Sequence, residues 1–298
     1  MTLLEALRAG PLLGDGAMGT QLQFAGLEPG GCGEAWNLDA PDAIEAIQSR
    51  YVEAGSQVLL SNTFGASRVM LERHGQGDRS EAINRAGVEI ARRAFGDKRG
   101  YVFGDMGPFG GLLEPLGDVP IAAVEAAFAE QAKALVEAGV DAILIETQTS
   151  LEELRIGIEA ARAAGAEVVA GSMAFDRTYD GEDVRTMMGI GPEDAARFMS
   201  EMKVDILALN CGTGVDMSMA REVVARYRAI SDLPIMAQPN AGQPVLEDFK
   251  TVYKETPEEM SAGVAGLIEV GVGIIGGCCG STPDHIRAFA RTLQELAR

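Results

Sequence analysis

The 298-residue sequence has only two histidines, four cysteines and 25 Lys and Arg against 44 Asp and Glu, a formal net charge of −19. The shortage of positive charge excludes non-specific binding to phosphate backbones or anionic lipid, so neither a nucleic-acid nor a membrane partner is expected. No apolar run approaches the roughly 18–20 residues that span a bilayer. The first ten residues carry an early acid and read as an amphipathic helix rather than a signal peptide, which makes the cytoplasm the expected compartment. Four cysteines are too few for a disulfide framework in a chain of this length. In a cytosolic protein they read as ligands, nucleophiles or buried thiols. Neither His74 nor His285 is expected to bind metal, and both read as surface positions. What is present is ordinary for a globular protein: 47% hydrophobic and 23% charged residues.

Short apolar runs alternate with longer stretches of helical spacing. The runs at 11–14, 57–61, 101–104, 141–145, 167–171, 205–209, 234–237 and 272–276 read as strands. Helices are expected near 40–54, 78–95, 120–138, 150–164, 192–203, 217–230, 257–270 and 283–297. Pro41, Ser150 and Thr282-Pro283 mark helix starts, and Gly55, Gly139, Gly165 and Gly271 mark helix ends. A weak repeat runs through the chain. Seven positions after each of those glycines stands a polar residue: Asn62, Glu146, Ser172 and Cys278. Lys203 stands at the same distance before Asn210. Eight βα units with continuously apolar strands indicate an α/β fold, a single-domain (β/α)8 TIM barrel over residues 1–298. A doubly wound open sheet is the alternative, weakened by the lack of a Gly-x-Gly-x-x-Gly turn after the first strand.

The unusual polar residues cluster just past the strands: Asp15-Gly16, Asn62-Thr63, Gly107-Pro108, Glu146-Thr147, Ser172, Asn210-Cys211, Gln238 to Gly242 and Cys278-Cys279-Gly280. In a barrel these tips converge on one face. The segment 173–190, with Phe175-Asp176 and Thr186-Met187-Met188, is expected to form a lid. Adjacent cysteines make no ordinary disulfide, but Cys278, Cys279 and Cys211 can reach one soft ion if the glycine-rich backbone bends. Zinc suits such a site, with a fourth position left open. The competing reading is of buried small hydrophobes, and for Cys32 a buried or simply exposed thiol is expected. A zinc held by three thiolates suits activation of a substrate thiol. Asp15 and Glu146 would meet an ammonium and the Gly16 and Ala17 amides a carboxylate. Together these describe an amino-acid thiol. The competing readings are a turn residue for Asp15 and a rim ion pair for Glu146.

The motifs Asp15-Gly-Ala-Met-Gly-Thr20, Asn62-Thr-Phe64, Glu146-Thr147, Asn210-Cys-Gly212, Pro239-Asn-Ala-Gly242 and Gly276-Gly-Cys-Cys-Gly-Ser-Thr-Pro283 resemble the homocysteine S-methyltransferase family, in order and over nearly the whole chain. That family includes the homocysteine domain of cobalamin-dependent methionine synthase, betaine–homocysteine methyltransferase and the S-methylmethionine-dependent enzymes. The resemblance implies a zinc-bearing barrel that methylates homocysteine to methionine. It implies Cys211, Cys278 and Cys279 as the zinc ligands, Asp15 and Glu146 at the amino group, and Gly16 and Ala17 at the carboxylate. Asn240 is implied at the rim, or in the open zinc position when substrate is absent. Two departures, Phe109-Gly110 after Gly107-Pro108 and Gly-Thr-Gly-Val-Asp216 after Cys211, bear on donor and specificity. With no cobalamin, folate or activation domain after the cysteine pair, the donor is expected to be methylcobalamin on a separate corrinoid protein. The alternatives are a small-molecule donor (S-methylmethionine, S-adenosylmethionine or a betaine), a different acceptor thiol, or a non-enzymatic zinc-binding module.

Overall fold

The computed structural model describes residues 1–247 and 250–298. Eight strands form one parallel sheet: β1 (Leu12–Leu13), β2 (Val58–Leu60), β3 (Tyr101–Met106), β4 (Ala142–Gln148), β5 (Val169–Met173), β6 (Ile206–Asn210), β7 (Ile235–Gln238) and β8 (Val272–Ile275). Their order is β1-β8-β7-β6-β5-β4-β3-β2. The remaining seam, between β1 and β2, is bridged by the Gln57 N–H donating to Leu13 O at 2.7 Å and the Leu60 N–H donating to Asp15 Oδ2 at 2.8 Å. A side-chain carboxylate thus stands where a short first strand offers no further carbonyl. The result is a nearly closed (β/α)8 barrel, as the alternation of elements predicts.

Period-two alternation sorts the strand residues. Phe103, Leu144, Ala170, Ala208, Met236 and Ile274 pack together inside the barrel. Val102, Ile143, Ile145, Val169, Leu207 and Ile275 face outward into the layer shared with the helices. Both faces are buried, so the strands read as continuous apolar runs rather than alternating ones. Helices follow the strands at Pro41–Ala54, Ser80–Phe95, Ile121–Glu137, Leu151–Ala163, Pro192–Glu201, Met217–Arg228 and Pro283–Leu296. The stretch read as one helix over 257–270 is two, Pro257–Ser261 and Val264–Glu269. At the break, Gly263 lies so near Met217 that a Cβ there would sit 2.7 Å from the methionine Cβ. Among the described residues, no helix is long and apolar enough to cross a membrane.

The repeat has a backbone cause. Gly55, Gly139, Gly165 and Gly271 all have positive φ, the left-handed turn that ends a helix and redirects the chain into the next strand. Lys203 takes the same conformation at φ 58° without being glycine. Each unit therefore delivers its polar residue to the carboxyl end of a strand.

Candidate active site

The innermost residues at that end of the strands are no longer apolar. Continuing the inward alternation of each strand gives Asp105 on β3, Glu146 on β4, Ser172 on β5, Asn210 on β6 and Gln238 on β7, all buried. Asn210 ties three tips together. Its Oδ1 accepts from Ser172 Oγ at 2.7 Å and from the Thr147 N–H at 3.1 Å, and its Nδ2 donates to Thr147 Oγ1 at 2.7 Å. The floor of the mouth is therefore a hydrogen-bonded layer, held rigidly by strands rather than by loops.

Three thiols meet over this layer. The Sγ atoms of Cys211 and Cys279 lie 3.8 Å apart and those of Cys278 and Cys279 4.0 Å apart. All three fall within 4.8 Å of one another. A tetrahedral ion with metal–sulfur distances of about 2.3 Å holds its sulfurs about 3.8 Å apart, so the trio is spaced for one such ion. The cysteines reach this geometry by different routes. Cys211 is a non-glycine residue at φ 54°, a conformation that costs roughly 1–3 kcal/mol. Gly212 follows at φ 66°, and a Cβ there would lie 1.9 Å from Phe175 O. The Cys278-Cys279 pair is clamped between neighbouring strand tips. Gly277 N–H donates to Asp15 O and Cys278 N–H to Pro239 O, each at 2.8 Å, and Ala241 N–H donates to Cys279 O at 2.9 Å. Hydrogen bonds from the Cys211 and Cys278 thiols pull Cys279 down to about 3, while Cys278, as donor to Cys211 and Cys279 and partly desolvated, is pushed well above an ordinary thiol. Without a cation the three thiols share their protons in hydrogen bonds to one another. A bound divalent ion supplies the charge needed to ionise all three.

Asn240 completes this half of the mouth. It is fully buried, its Nδ2 donates to Cys211 O at 3.3 Å and to Gly212 O at 3.2 Å, and its Oδ1 has no partner among the described residues. A fixed amide with a free, buried acceptor beside Cys211 suits an additional oxygen ligand or a contact to a bound molecule.

The other half is acidic. Asp15 is 4% exposed, Asp105 5% and Glu146 7%. Burial raises Asp15 to about 7. Burial, then the neighbouring Asp15 and Cys279, raise Glu146 to about 8 against hydrogen bonds from Thr147 and Gln238. Burial, then Glu146, Asp15 and Glu34, hold Asp105 well above the usual carboxylate range. No Lys or Arg offsets this cluster among the described residues. Buried carboxylates in one place without a counter-charge form a receptor for a cation. Nearby, the Ala17 N–H is already taken by Ser281 Oγ at 3.1 Å. The Gly16 N–H has no partner among the described residues, so Gly16 is the better placed of the two amides.

Several expectations change. Phe175 does not belong to a mobile lid: it is fully buried with its ring edge-on to Tyr227, centroids 6.1 Å apart. Thr186 is pinned to Thr149 O at 2.9 Å, and Asp176–Arg177 pairs with Val184–Arg185 as a small hairpin. The exposed part of that segment is its outer rim, including the hairpin tip at Tyr179 and the pair Met187 and Met188. His285 is buried rather than at the surface. Its Nδ1 meets Thr282 Oγ1 at 2.9 Å and its Nε2 meets Glu255 O at 2.9 Å, a capping role at the start of the last helix. His74 is exposed, as expected. Cys32 lies apart from the trio, packed on Ala66, Leu71 and Ile83 with its thiol 3.6 Å from Glu34 Oε2.

Two residues of the mouth escape the sequence reading. Asp105 is one. Tyr253 is the other: it packs on Gly280, next to Cys279, where a Cβ would lie 2.2 Å from the tyrosine Cβ. Beside the mouth, on the same face, lies a groove of about 370 Å³ lined by Phe109, Leu112, Leu116, Met187 and Met188, with the buried Glu153 carboxyl bonded to the Phe109 N–H at 2.7 Å.

Comparisons with known proteins agree with this geometry. A family model described as homocysteine S-methyltransferase matches residues 12–293. The methionine synthase of Mycobacterium tuberculosis is 36% identical over 99% of this chain, and that of Mycobacterium leprae 37% over 97%. The chain spans about a quarter of the length of these relatives, 26% and 25%. In fold it resembles the homocysteine methyltransferase MmuM of Escherichia coli. The metallated form has a TM-score of 0.77 at 22% identity, covering 96% of this chain and 99% of that one; the oxidized form has 0.76 at 21%, covering 94% and 95%.

Proposed function

The chain belongs to the homocysteine S-methyltransferase family, and from that premise we propose that it uses zinc to transfer a methyl group to the thiolate of homocysteine, forming methionine. The observation that carries this reading is the pairing, in one mouth, of three thiols within 4.8 Å of one another with a buried carboxylate cluster that has no counter-charge. Cys211, Cys278 and Cys279 hold the ion and leave one position open. Zinc bound there lowers the pKa of an incoming thiol and keeps it as a nucleophilic thiolate. Asp15 and Glu146 take the substrate ammonium, and the Gly16 amide, with Ala17 beside it, takes the carboxylate. Asn240, with its free buried Oδ1 beside Cys211, would supply an oxygen ligand to the ion in the absence of substrate. These contacts fix the acceptor sulfur at the barrel mouth, where a donor approaches from solvent, and orientation of this kind accounts for much of the rate in such transfers.

The donor we favour is methylcobalamin carried by a separate corrinoid protein. Supporting this is the higher sequence identity to methionine synthases than to MmuM. Unpaired thiols at the site suit the reducing cytoplasm. The test is a methyl-transfer assay of the zinc-loaded protein with homocysteine against free methylcobalamin, a methylated corrinoid protein, S-methylmethionine, S-adenosylmethionine and betaine. Methionine from the corrinoid donors supports the reading. Methionine only from a sulfonium or betaine moves the donor. No turnover with any donor, despite stoichiometric zinc, would leave a zinc-binding module.

A further inference from the structure

Asp105 has everything bonded except its carboxyl. Its N–H donates to Ser61 Oγ at 3.2 Å and its carbonyl accepts from Thr63 Oγ1 at 2.8 Å. Those two hydroxyls lie 2.6 Å apart, and Gln131 Nε2 secures the Thr63 carbonyl at 2.8 Å. This buried network fixes the β3 tip. The side chain itself continues the inward face of Tyr101 and Phe103, where the barrel core is packed. Oδ1 is buried without a hydrogen-bond partner among the described residues. A carboxyl placed by so much structure and left unbonded is costly to the free protein unless something fills the position.

The two other carboxylates set what that filler is. An ammonium has three N–H donors at tetrahedral angles, and each needs an acceptor once buried. Asp15 commits Oδ2 to the Leu60 N–H, and Glu146 already accepts from Thr147 Oγ1 at 3.5 Å and from Gln238. Each therefore offers about one free oxygen, which leaves the third N–H unsatisfied. Gln238 adds a second buried acceptor without a partner, Oε1, in the same layer. Both groups await a hydrogen-bond donor, and three clustered carboxyls favour a cationic donor over a neutral or anionic one. We propose that Asp105 is a substrate-binding residue whose Oδ1 takes the third N–H of the substrate ammonium, making the subsite a three-carboxylate receptor for a primary amine. This rests on the reading of the acceptor as an amino-acid thiol. It adds the residue that would make the site require that amine.

The experiment is calorimetric binding to the zinc-loaded protein, comparing homocysteine with 4-mercaptobutanoate, the same thiol and carboxylate without the amine. Asp105→Asn keeps side-chain volume and removes the charge. The expected result is homocysteine binding about 10- to 100-fold weaker, because the bond to the ammonium loses its negative charge, with 4-mercaptobutanoate unchanged. Asp105→Ser, measured on the same pair, serves if the asparagine variant does not fold. Homocysteine affinity unchanged, or both thiols weakened alike, would overturn the assignment, the second outcome marking a purely structural carboxyl. If the wild type itself fails to prefer homocysteine, the acceptor reading falls and the Asp105 assignment with it. A wild type that prefers homocysteine beside an unaffected variant refutes Asp105 alone.

Discussion

Replacing Asp15 by Asn should move stability and binding in opposite directions. The buried carboxyl is raised from 3.8 to about 7. In the unfolded chain it ionises near its ordinary value, so between those two pH values the folded state holds a proton that the unfolded state has lost. Stability falls as pH rises through that window and is level above it. At about 1.4 kcal/mol per pH unit, the cost reaches a ceiling of about 4 kcal/mol above pH 7 and is about 2 kcal/mol at pH 5. The asparagine carries no such cost, and its Oδ1 can still accept from the Leu60 N–H that helps close the barrel. Urea denaturation of the metal-free protein should therefore find Asp15→Asn more stable than wild type at pH 8, with the advantage shrinking by up to about 3 kcal/mol on going to pH 5. Homocysteine binding to the zinc-loaded variant should be weaker by roughly 2–5 kcal/mol, because one partner of a buried charge is gone. A variant destabilised equally at both pH values would refute the reasoning. Asp15 would then be a closure residue only, the turn reading of Asp-Gly in another form.

Other perturbations separate the roles within the mouth. Metal analysis of Cys211→Ser, Cys278→Ser and Cys279→Ser should show reduced zinc in each, while Cys32→Ser retains about one zinc per chain; full retention in the first three would remove the metal site. Gly212→Ala meets both a positive φ and the Phe175 carbonyl, so it should cost at least about 2 kcal/mol in denaturation midpoint and reduce zinc binding. Chelation should abolish activity and leave the far-ultraviolet circular dichroism of the folded chain in place, because a barrel of this size has a large core without the ion; melting on chelation would contradict that.

The strands were legible because both faces of each are buried, which writes eight continuous apolar runs into the sequence. The cysteine trio was legible from residue type and position at the tips. Asp105 was not, because Gly104 reads as the end of a strand. In the structure β3 runs on to Met106, and Gly104 serves helix packing, with Leu135 within 3.1 Å of where a Cβ would be. The alternation Tyr101, Phe103, Asp105 carries the signal once the strand is extended. Tyr253 leaves no local signal, since its place against Gly280 is set by two segments that meet only in the fold. His285 was misplaced because helical spacing does not show that its ring caps its own helix. The close spacing of the three sulfurs, and the competition of Ser281 for the Ala17 amide, are likewise properties of atoms brought together from distant parts of the chain.

The central claim is that three cysteines present a metal with one position open to a substrate thiol. X-ray absorption at the zinc edge tests it most directly, on the zinc-loaded protein before and after homocysteine is added. The account predicts three sulfur neighbours and one lighter atom without substrate, and four sulfur neighbours with it. A sulfur count that stays the same on addition of homocysteine at saturating concentration would contradict it.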